Sequence, residues 1–440
     1  MELKLRMARL AKEDRFPFHM PGHKGKFPAV FGDFDPTELP GLDNLHSPQG
    51  VLARAQAKVA DIYKVHKTYF LVNGSSTGIM AAITSLIRPG DLILVTPTCH
   101  KSVLAGLVHS GAMPVWVRQE FCLRRKLWLP PTPDQVHQLL AAHSVQAAIF
   151  TNPDYYGQVP DLQGITEVCH AHDVPVIVDE AHGAHLFFGQ GLGLPKSGVG
   201  VGCDIIVQSP HKTLPALTQA AWMHIGCADV DRVQESLNIF HTTSPSYLLL
   251  ASLEYAAHFA KTRGARLLKR LSLLAKVLDT KLAPLNLPDL PEPAADWTKF
   301  LLPNRRGLLE QLLAKGIYPE LVQQDKILFM LTMADAIQPA GIAQLQQVLD
   351  HLPHWSPVPE REISVPPLPT QACTPREAWL CPGEKLSIGS ALGRVSRQVV
   401  APYPPGTMVV APGQRLGEEQ IDYLEKLRAE KVIPEWIEVI

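Results

Sequence analysis

Six residues, Val174-Pro175-Val176-Ile177-Val178-Asp179, constrain this chain more than any other run. Four are β-branched, and the run is apolar on both faces until it ends in an acid. A strand without a polar face belongs inside a parallel sheet covered by helices on both sides. The acid then stands at the carboxyl end of the strand, where open α/β sheets bind their ligands. Taken alone, Asp179 reads equally well as a strand-end cap or a turn residue.

A second run sharpens the reading. Asp204-Ile205-Ile206-Val207 is another short buried strand, and Ser209-Pro210-His211-Lys212-Thr213 follows it. A lysine there, partly desolvated, is suited to hold an aldehyde as a Schiff base. The alternative is a lysine that simply points to water. Lys212 follows Asp179 by 33 residues, room for one crossover and one strand. Pyridoxal phosphate enzymes pair an Asp with the pyridinium nitrogen and a Lys with the aldehyde. Strand–Asp followed by strand–Ser-x-His-Lys favours such a site.

Strand–helix alternation extends this pattern upstream. Gly50 to Lys64 reads as an amphipathic helix, with Val51, Ala55, Val59 and Ile62 on one stripe. Tyr69 to Val72 is a strand, followed by Asn73-Gly74-Ser75-Ser76-Thr77-Gly78 and a helical run from Ile79 to Ile87. A strand, a Gly/Ser turn and a helix start form an anion site, because first-turn N–H groups are free and the dipole is positive there. Ordinary capping by Ser75 or Ser76 is the alternative. Asp91 to Val95 is a strand, and Thr98 to Ser102 opens the next helix. This puts His100 near the same edge, either as a ring stacked on a cofactor or as a satisfied histidine. Strands over Pro114–Val117, Val145–Phe150 and Ala220–Ile225, and a helix over Gly164–Ala171, complete a parallel-rich α/β pattern.

Composition excludes several classes. The 440 residues carry a formal net charge of −1, with no basic excess for nucleic acid and no like-charge tail. No run approaches the roughly 18 apolar residues that read as a membrane span, and Met1 to Arg15 lacks the apolar region of a signal peptide. Seven cysteines without a C-x-x-C pair point to reduced thiols, hence a cytoplasmic protein. Phe16 to Lys26 is a Pro/Gly-broken arm, continued by Asp43 to Pro48. His19 and His23 lie in it without a nearby third ligand, so no metal site is expected.

These runs together resemble the Orn/Lys/Arg decarboxylase family, in the short bacterial form without an N-terminal wing domain. The resemblance rests on Phe18-His19-Met20-Pro21-Gly22-His23-Lys24, Asn73-Gly74-Ser75-Ser76-Thr77 and Cys99-His100-Lys101-Ser102. It extends through Asp179-Glu180-Ala181-His182-Gly183-Ala184-His185, Ser209-Pro210-His211-Lys212-Thr213 and His241-Thr242-Thr243-Ser244-Pro245-Ser246-Tyr247. Near the C-terminus, Ala401 to Gly406 and Ala411-Pro412-Gly413 look like the family's closing signature.

The resemblance implies a fold-type I pyridoxal phosphate architecture: a parallel-rich seven-stranded sheet sandwiched by helices, with a smaller C-terminal α/β domain. It implies pyridoxal 5'-phosphate as cofactor, Lys212 on its aldehyde, Asp179 on its ring nitrogen and His100 stacked on the ring. Ser75, Ser76, Thr77 and Ser209 would bind the phosphate with His211 nearby, and His182 would lie at the cofactor's edge. Family members are dimers or larger with shared sites, so Ser244 would reach the neighbouring subunit's phosphate. Two positions depart from the family pattern. Ile79 stands about where Asn is common, and Gln414 where a Glu that could recognise a basic substrate is common.

Beyond Tyr247, Leu248–Ala260 and Ala265–Leu282 read as two long helices, and Leu285–Pro303 as loop. Leu308–Lys315 and Ala340–Leu352 read as helices around a strand at Lys326–Met333. Pro353–Gln371 is a proline-rich connector, and Pro375–Val400 and Glu418–Lys431 read as helical. The expected organisation is an arm (1–48), a cofactor-binding domain (49–260) and a smaller domain (261–440). The expected activity is decarboxylation of arginine, lysine or ornithine to the amine and carbon dioxide by a homodimer in polyamine metabolism, with no nucleic acid or membrane partner. Another pyridoxal phosphate lyase, an aminotransferase, or a catalytically silent homologue that binds amino acids are the alternatives.

Overall fold

In the computed structural model, residues 1–10, 35–122, 126–282, 295–351, 366, 368–401 and 408–440 are described. The arm motif at 16–26, most of the 353–371 connector and the Tyr-Pro-Pro-Gly turn lie outside the described residues. Helix α1 (Glu2–Leu10) precedes α2 (Val51–Tyr63), β1 (Lys67–Leu71), α3 (Gly74–Leu86), β2 (Leu92–Val95), α4 (Lys101–Ser110) and β3 (Met113–Trp116). A small hairpin, β4 (Phe121–Cys122) and β5 (Leu127–Trp128), leads to α5 (Pro133–Ala142), β6 (Val145–Thr151), α6 (Leu162–Ala171) and β7 (Val176–Glu180). Then come α7 (Gly198–Val201), β8 (Ile205–Gln208), α8 (Pro210–Thr213), β9 (Ala221–Ile225) and α9 (Val230–Phe240).

Seven of these strands form one sheet in the order β1-β9-β8-β7-β6-β2-β3. Strands β3, β2, β6, β7 and β8 pair in parallel, while β9 is antiparallel to both its neighbours. All strands but β9 therefore end at one edge, as the alternation predicts. Their interior residues are buried on both faces, which explains the missing polar alternation. One face, with Leu71, Ile149, Ile177 and Val207, packs under α3 and α4. The other, with Phe150, Val176, Val178 and Ile206, packs over α5 and α6.

A polar seam runs under the edge on that second face. Glu180 is fully buried and takes four donors: Gly198 N–H at 2.7 Å, Ser197 Oγ at 2.7 Å, Gln208 Nε2 at 2.6 Å and Asn152 Nδ2 at 3.1 Å. The seam continues from Gln208 Oε1 to His224 Nε2 at 3.2 Å, and from His224 Nδ1 to Thr68 Oγ1 at 2.9 Å. It links β7, β8, β9 and β1. Asp179 precedes Glu180 in the strand and so points to the opposite face.

The remaining elements are α10 (Tyr247–Leu282), β10 (Lys299–Pro303), α11 (Leu308–Ala314), β11 (Leu321–Val322), β12 (Lys326–Met330), α12 (Met333–Ile337) and α13 (Ala340–Leu349). A last group holds β13 (Thr370–Gln371), α14 (Pro375–Leu380), β14 (Glu384–Ser387), β15 (Gln414–Arg415), α15 (Glu418–Ala429) and β16 (Trp436–Val439). Three expectations are corrected. The two helices after Tyr247 are one helix of 36 residues. Gly264 does not break it, because the helix lies close on Phe188, 3.2 Å from a side-chain methyl placed there. The end of the expected 285–303 loop is β10, which pairs antiparallel with β12. Pro375–Val400 is helical only to Leu380, and β14 then pairs with β16. Both missed strands depend on partners distant in sequence.

Two predictions concern this framework. A Cβ on Gly78 would lie 2.7 Å from Leu71 Cδ1 and 2.8 Å from Val207 Cγ1, where α3 meets β1 and β8. Gly78→Val should therefore cost about 1–3 kcal/mol of stability in urea unfolding. Burial pushes the Glu180 carboxyl up from 4.5 to about 7, against the pull of its four donors. The folded state thus holds that proton more tightly than the unfolded chain, and stability is lost as pH rises through this window. Glu180→Gln removes this term. Between pH 4.5 and 7, its stability relative to wild type should rise by up to about 3 kcal/mol, read by chemical denaturation at each pH. An unchanged difference would show that Glu180 does not titrate there.

Candidate active site

Four strand ends bring the predicted residues together. Strand β1 leads directly into α3, whose first turn carries Ser75, Ser76 and Thr77. The chain enters it through Gly74 at φ +80°, a conformation that favours glycine. Strand β2 leads to His100, the N-cap of α4, whose Nδ1 lies 2.8 Å from Ser102 Oγ. Strand β7 ends with Asp179, and β8 delivers Ser209, His211 and Lys212 through the short helix α8. Strand register aligns Asp179 with Thr151 on one side and Val207 on the other.

Lys212 Nζ lies 3.1 Å from His182 Nε2. Burial lowers the Lys212 pKa; Asp179 and Glu320 oppose this, and the charge of Lys299 adds to it. Burial and the Lys212 charge hold His182 well below the usual histidine range, so it is neutral beside Lys212. Asp179 is buried, and its Oδ1 accepts the Ala181 N–H at 3.1 Å. A buried carboxylate here suits a protonated ring nitrogen, and a lysine of lowered pKa suits a carbonyl.

The residues present fit a phosphorylated aldehyde. Ser209 is fully buried, and its Oγ has no partner among the described residues. The hydroxyls of Ser75 and Ser76 stand in the first turn of the 13-residue helix α3, where backbone N–H groups are also free. His211 donates from Nδ1 to Ala220 O at 2.9 Å, which fixes its orientation beside Lys212. Thr77 differs: its hydroxyl donates to Asn73 O at 3.2 Å, so its side chain serves the helix start. Ser244 is exposed in the loop after α9 and is not joined to Lys212 or Asp179 by a contact in this chain. That loop is tied to the start of α3 through the Thr242 N–H and Asn73 Oδ1, at 3.4 Å.

Ile79 is fully buried in the core under α3, and Gln414 is fully buried with Oε1 accepting the Ala411 N–H at 2.7 Å. Within this chain Ile79 is a packing position, while Gln414 holds the Ala411 backbone and its buried Nε2 has no partner among the described residues. Among the described residues no three His, Cys, Asp or Glu side chains are placed to hold a metal; His19 and His23 lie outside them.

Sequence reasoning missed the surroundings. Tyr155, in the loop after β6, sets its ring edge-on to His182 with centroids 5.2 Å apart. Its hydroxyl donates to Glu320 Oε1 at 2.6 Å. A buried cluster lies behind, with Asp296 3.2 Å from His185 Nε2 and 3.5 Å from Lys299 Nζ. Burial works against the Asp296 charge, but His185 and Lys299 outweigh it and lower its pKa. The pairing of Asp179-x-x-His182 with His185 hinted at a crowded polar strand end. The residues from 296 to 320 carried no such signal.

The comparisons agree with this architecture. Residues 5–283 match the model of the Orn/Lys/Arg decarboxylase major domain, and 361–434 match that of the family's C-terminal domain. An arginine decarboxylase of Bacillus subtilis is 31% identical over 93% of this chain and 90% of its own length. An uncharacterized Bacillus subtilis protein, YaaO, is 32% identical over 95% of this chain and 92% of its own. The Escherichia coli constitutive lysine decarboxylase structure superposes with a TM-score of 0.81 at 21% identity, covering 97% of this chain and 78% of that one. No described helix is long and apolar enough to cross a membrane. With two family models spanning most of its length, this chain belongs to the Orn/Lys/Arg decarboxylase family.

Proposed function

We propose that this protein decarboxylates arginine at the edge carrying Lys212 and Asp179, with lysine and ornithine as the alternative substrates. Pyridoxal-phosphate-dependent decarboxylation of a basic amino acid is the activity of the family to which it belongs. The preference for arginine rests on relatives named arginine decarboxylase at 31% identity over more than nine-tenths of this chain. The observation that carries the site is the Lys212–His182 contact at 3.1 Å, made just past the ends of the neighbouring strands β8 and β7, the latter carrying Asp179.

Bound pyridoxal phosphate supplies an electron sink for the pair left behind when carbon dioxide departs. Lys212 would hold the aldehyde, and burial, which lowers its pKa, would favour the unprotonated amine that exchange with the substrate amine needs. Asp179, buried, would hold the ring nitrogen protonated by electrostatic attraction. Ser75, Ser76 and Ser209 would receive the phosphate, together with the free N–H groups of α3. His100, exposed at the same edge, would stack on the ring. His182 lies within hydrogen-bond reach of Lys212 and is the group placed to pass a proton to and from its amine.

The active form proposed is a homodimer in which exposed Ser244 completes the partner's phosphate site. A cytoplasmic setting and a place in polyamine supply are proposed as well. They are supported by seven unpaired cysteines, three of them in the core, and by the diamine-type product.

The purified protein mixed with pyridoxal phosphate should develop an absorbance band near the visible edge that Lys212→Ala abolishes. Carbon dioxide and amine should form from arginine faster than from lysine or ornithine, and not with Lys212→Ala. A band with no product from any of the three would keep the cofactor site and overturn the substrate reading. The absence of a band would overturn both.

A further inference from the structure

An enzyme for a basic amino acid needs a negative group for the far end of its substrate, distant from the lysine that exchanges with the α-amine. Gln414, where the family pattern suggests a glutamate, is neutral and engaged with Ala411. Asp179 lies at the floor of the site, held by the Ala181 N–H. Among the described carboxylates around Lys212 and His182, Asp296 is buried and paired with His185 and Lys299, while Glu320 is exposed. Glu320 precedes β11 in the three-stranded sheet, its N–H bonded to Leu328 O at 2.9 Å. Its side chain leaves that sheet and accepts the Tyr155 hydroxyl at 2.6 Å. Tyr155 rests edge-on against His182, which touches Lys212. Glu320 is thus three contacts from the reacting amine, on the outer side of the site.

Glu320 is exposed and makes no ion pair with a Lys, Arg or His among the described residues. The neighbouring cations are engaged elsewhere: Lys299 with Asp296 at 3.5 Å, and Lys326 with Asp325 at 3.4 Å. A carboxylate has about four lone-pair sites, and the phenol takes one. Because Glu320 is exposed, the rest are open to the donors of a guanidinium or ammonium group.

We propose that Glu320, held by Tyr155, receives the distal cation of the basic substrate and is the specificity-determining residue of this site. The inference rests on the basic-amino-acid reading above. It assigns the small sheet a direct share in the substrate pocket: the large sheet handles the α-amine end, and the residue before β11 handles the far end.

The test uses the full-length protein loaded with pyridoxal phosphate. Steady-state constants are measured for the preferred basic amino acid and for a neutral analogue of similar shape, citrulline against arginine or norleucine against lysine. Glu320→Gln keeps an acceptor for Tyr155 and removes the charge. It should raise KM for the basic substrate at least tenfold, with the smaller change in kcat, and leave the neutral analogue's kcat/KM within threefold. Tyr155→Phe keeps the charge and loosens it, so its effect should be in the same direction and smaller. Glu320→Asp should recover part of the loss. An unchanged KM in Glu320→Gln, or an equal loss on both substrates with a lowered melting temperature, would overturn the proposal in favour of a structural latch. Wild-type protein that loads the cofactor but turns over no basic amino acid would overturn the basic-substrate reading, and this inference with it.

Discussion

The buried carboxylate of Glu180 is the interaction on which the site's geometry depends. It gathers donors from the loop after β6, the turn before α7 and the end of β8, and so ties three strand ends together. A carboxyl group with no water must have its oxygens met by hydrogen bonds. The four donors around it are therefore held in place, and the segments that carry them are held as well. Gln208, one of the four, immediately precedes Ser209, so the lock reaches the chain that presents Lys212. Because strand side chains alternate, the same two-residue sequence sends Asp179 to the reacting face.

Electrostatics on that face work in one direction. Burial lowers the pKa of Lys212, His182 and His211 alike, so the nitrogen atoms clustered there tend toward their neutral forms. Asp179 opposes this for Lys212, and its own burial gives it a strong hold on a nearby positive charge. The site thus keeps a negative floor under groups of low basicity. An enzyme that must release a neutral lysine amine while holding a ring nitrogen protonated needs that separation.

The smaller sheet is more than a support. It is joined to the large sheet's edge by Tyr155 and Tyr156, whose hydroxyls donate to Glu320 and Gln323, and by the cluster of Asp296, His185 and Lys299. These contacts bring Asp296, Lys299 and Glu320 within electrostatic range of Lys212 or its neighbour His182. Helix α10, continuous over 36 residues, carries the chain from one part to the other and packs on both.

The amino-acid sequence by itself determined the large sheet and which residues stand at its carboxyl edge. Short apolar runs rich in β-branched residues and bounded by turns read as buried strands, and the Gly/Ser turn, Asp179 and Lys212 each stand at the end of one such run, so their meeting at one edge follows from local pattern and parallel topology. The family likeness added roles to the same residues. Tertiary structure alone decided what surrounds them. Glu180 reads in sequence as one more strand-end acid, and only the approach of Asn152, Ser197 and Gln208 makes it a lock. Strands β10 and β14 pair with segments remote in sequence, and Gly264 is tolerated in a helix because Phe188 packs close to it. Tyr155, Lys299 and Glu320 carry no local signal, since their meaning lies in distances across the fold, and such distances arise only when non-local packing brings separate segments together.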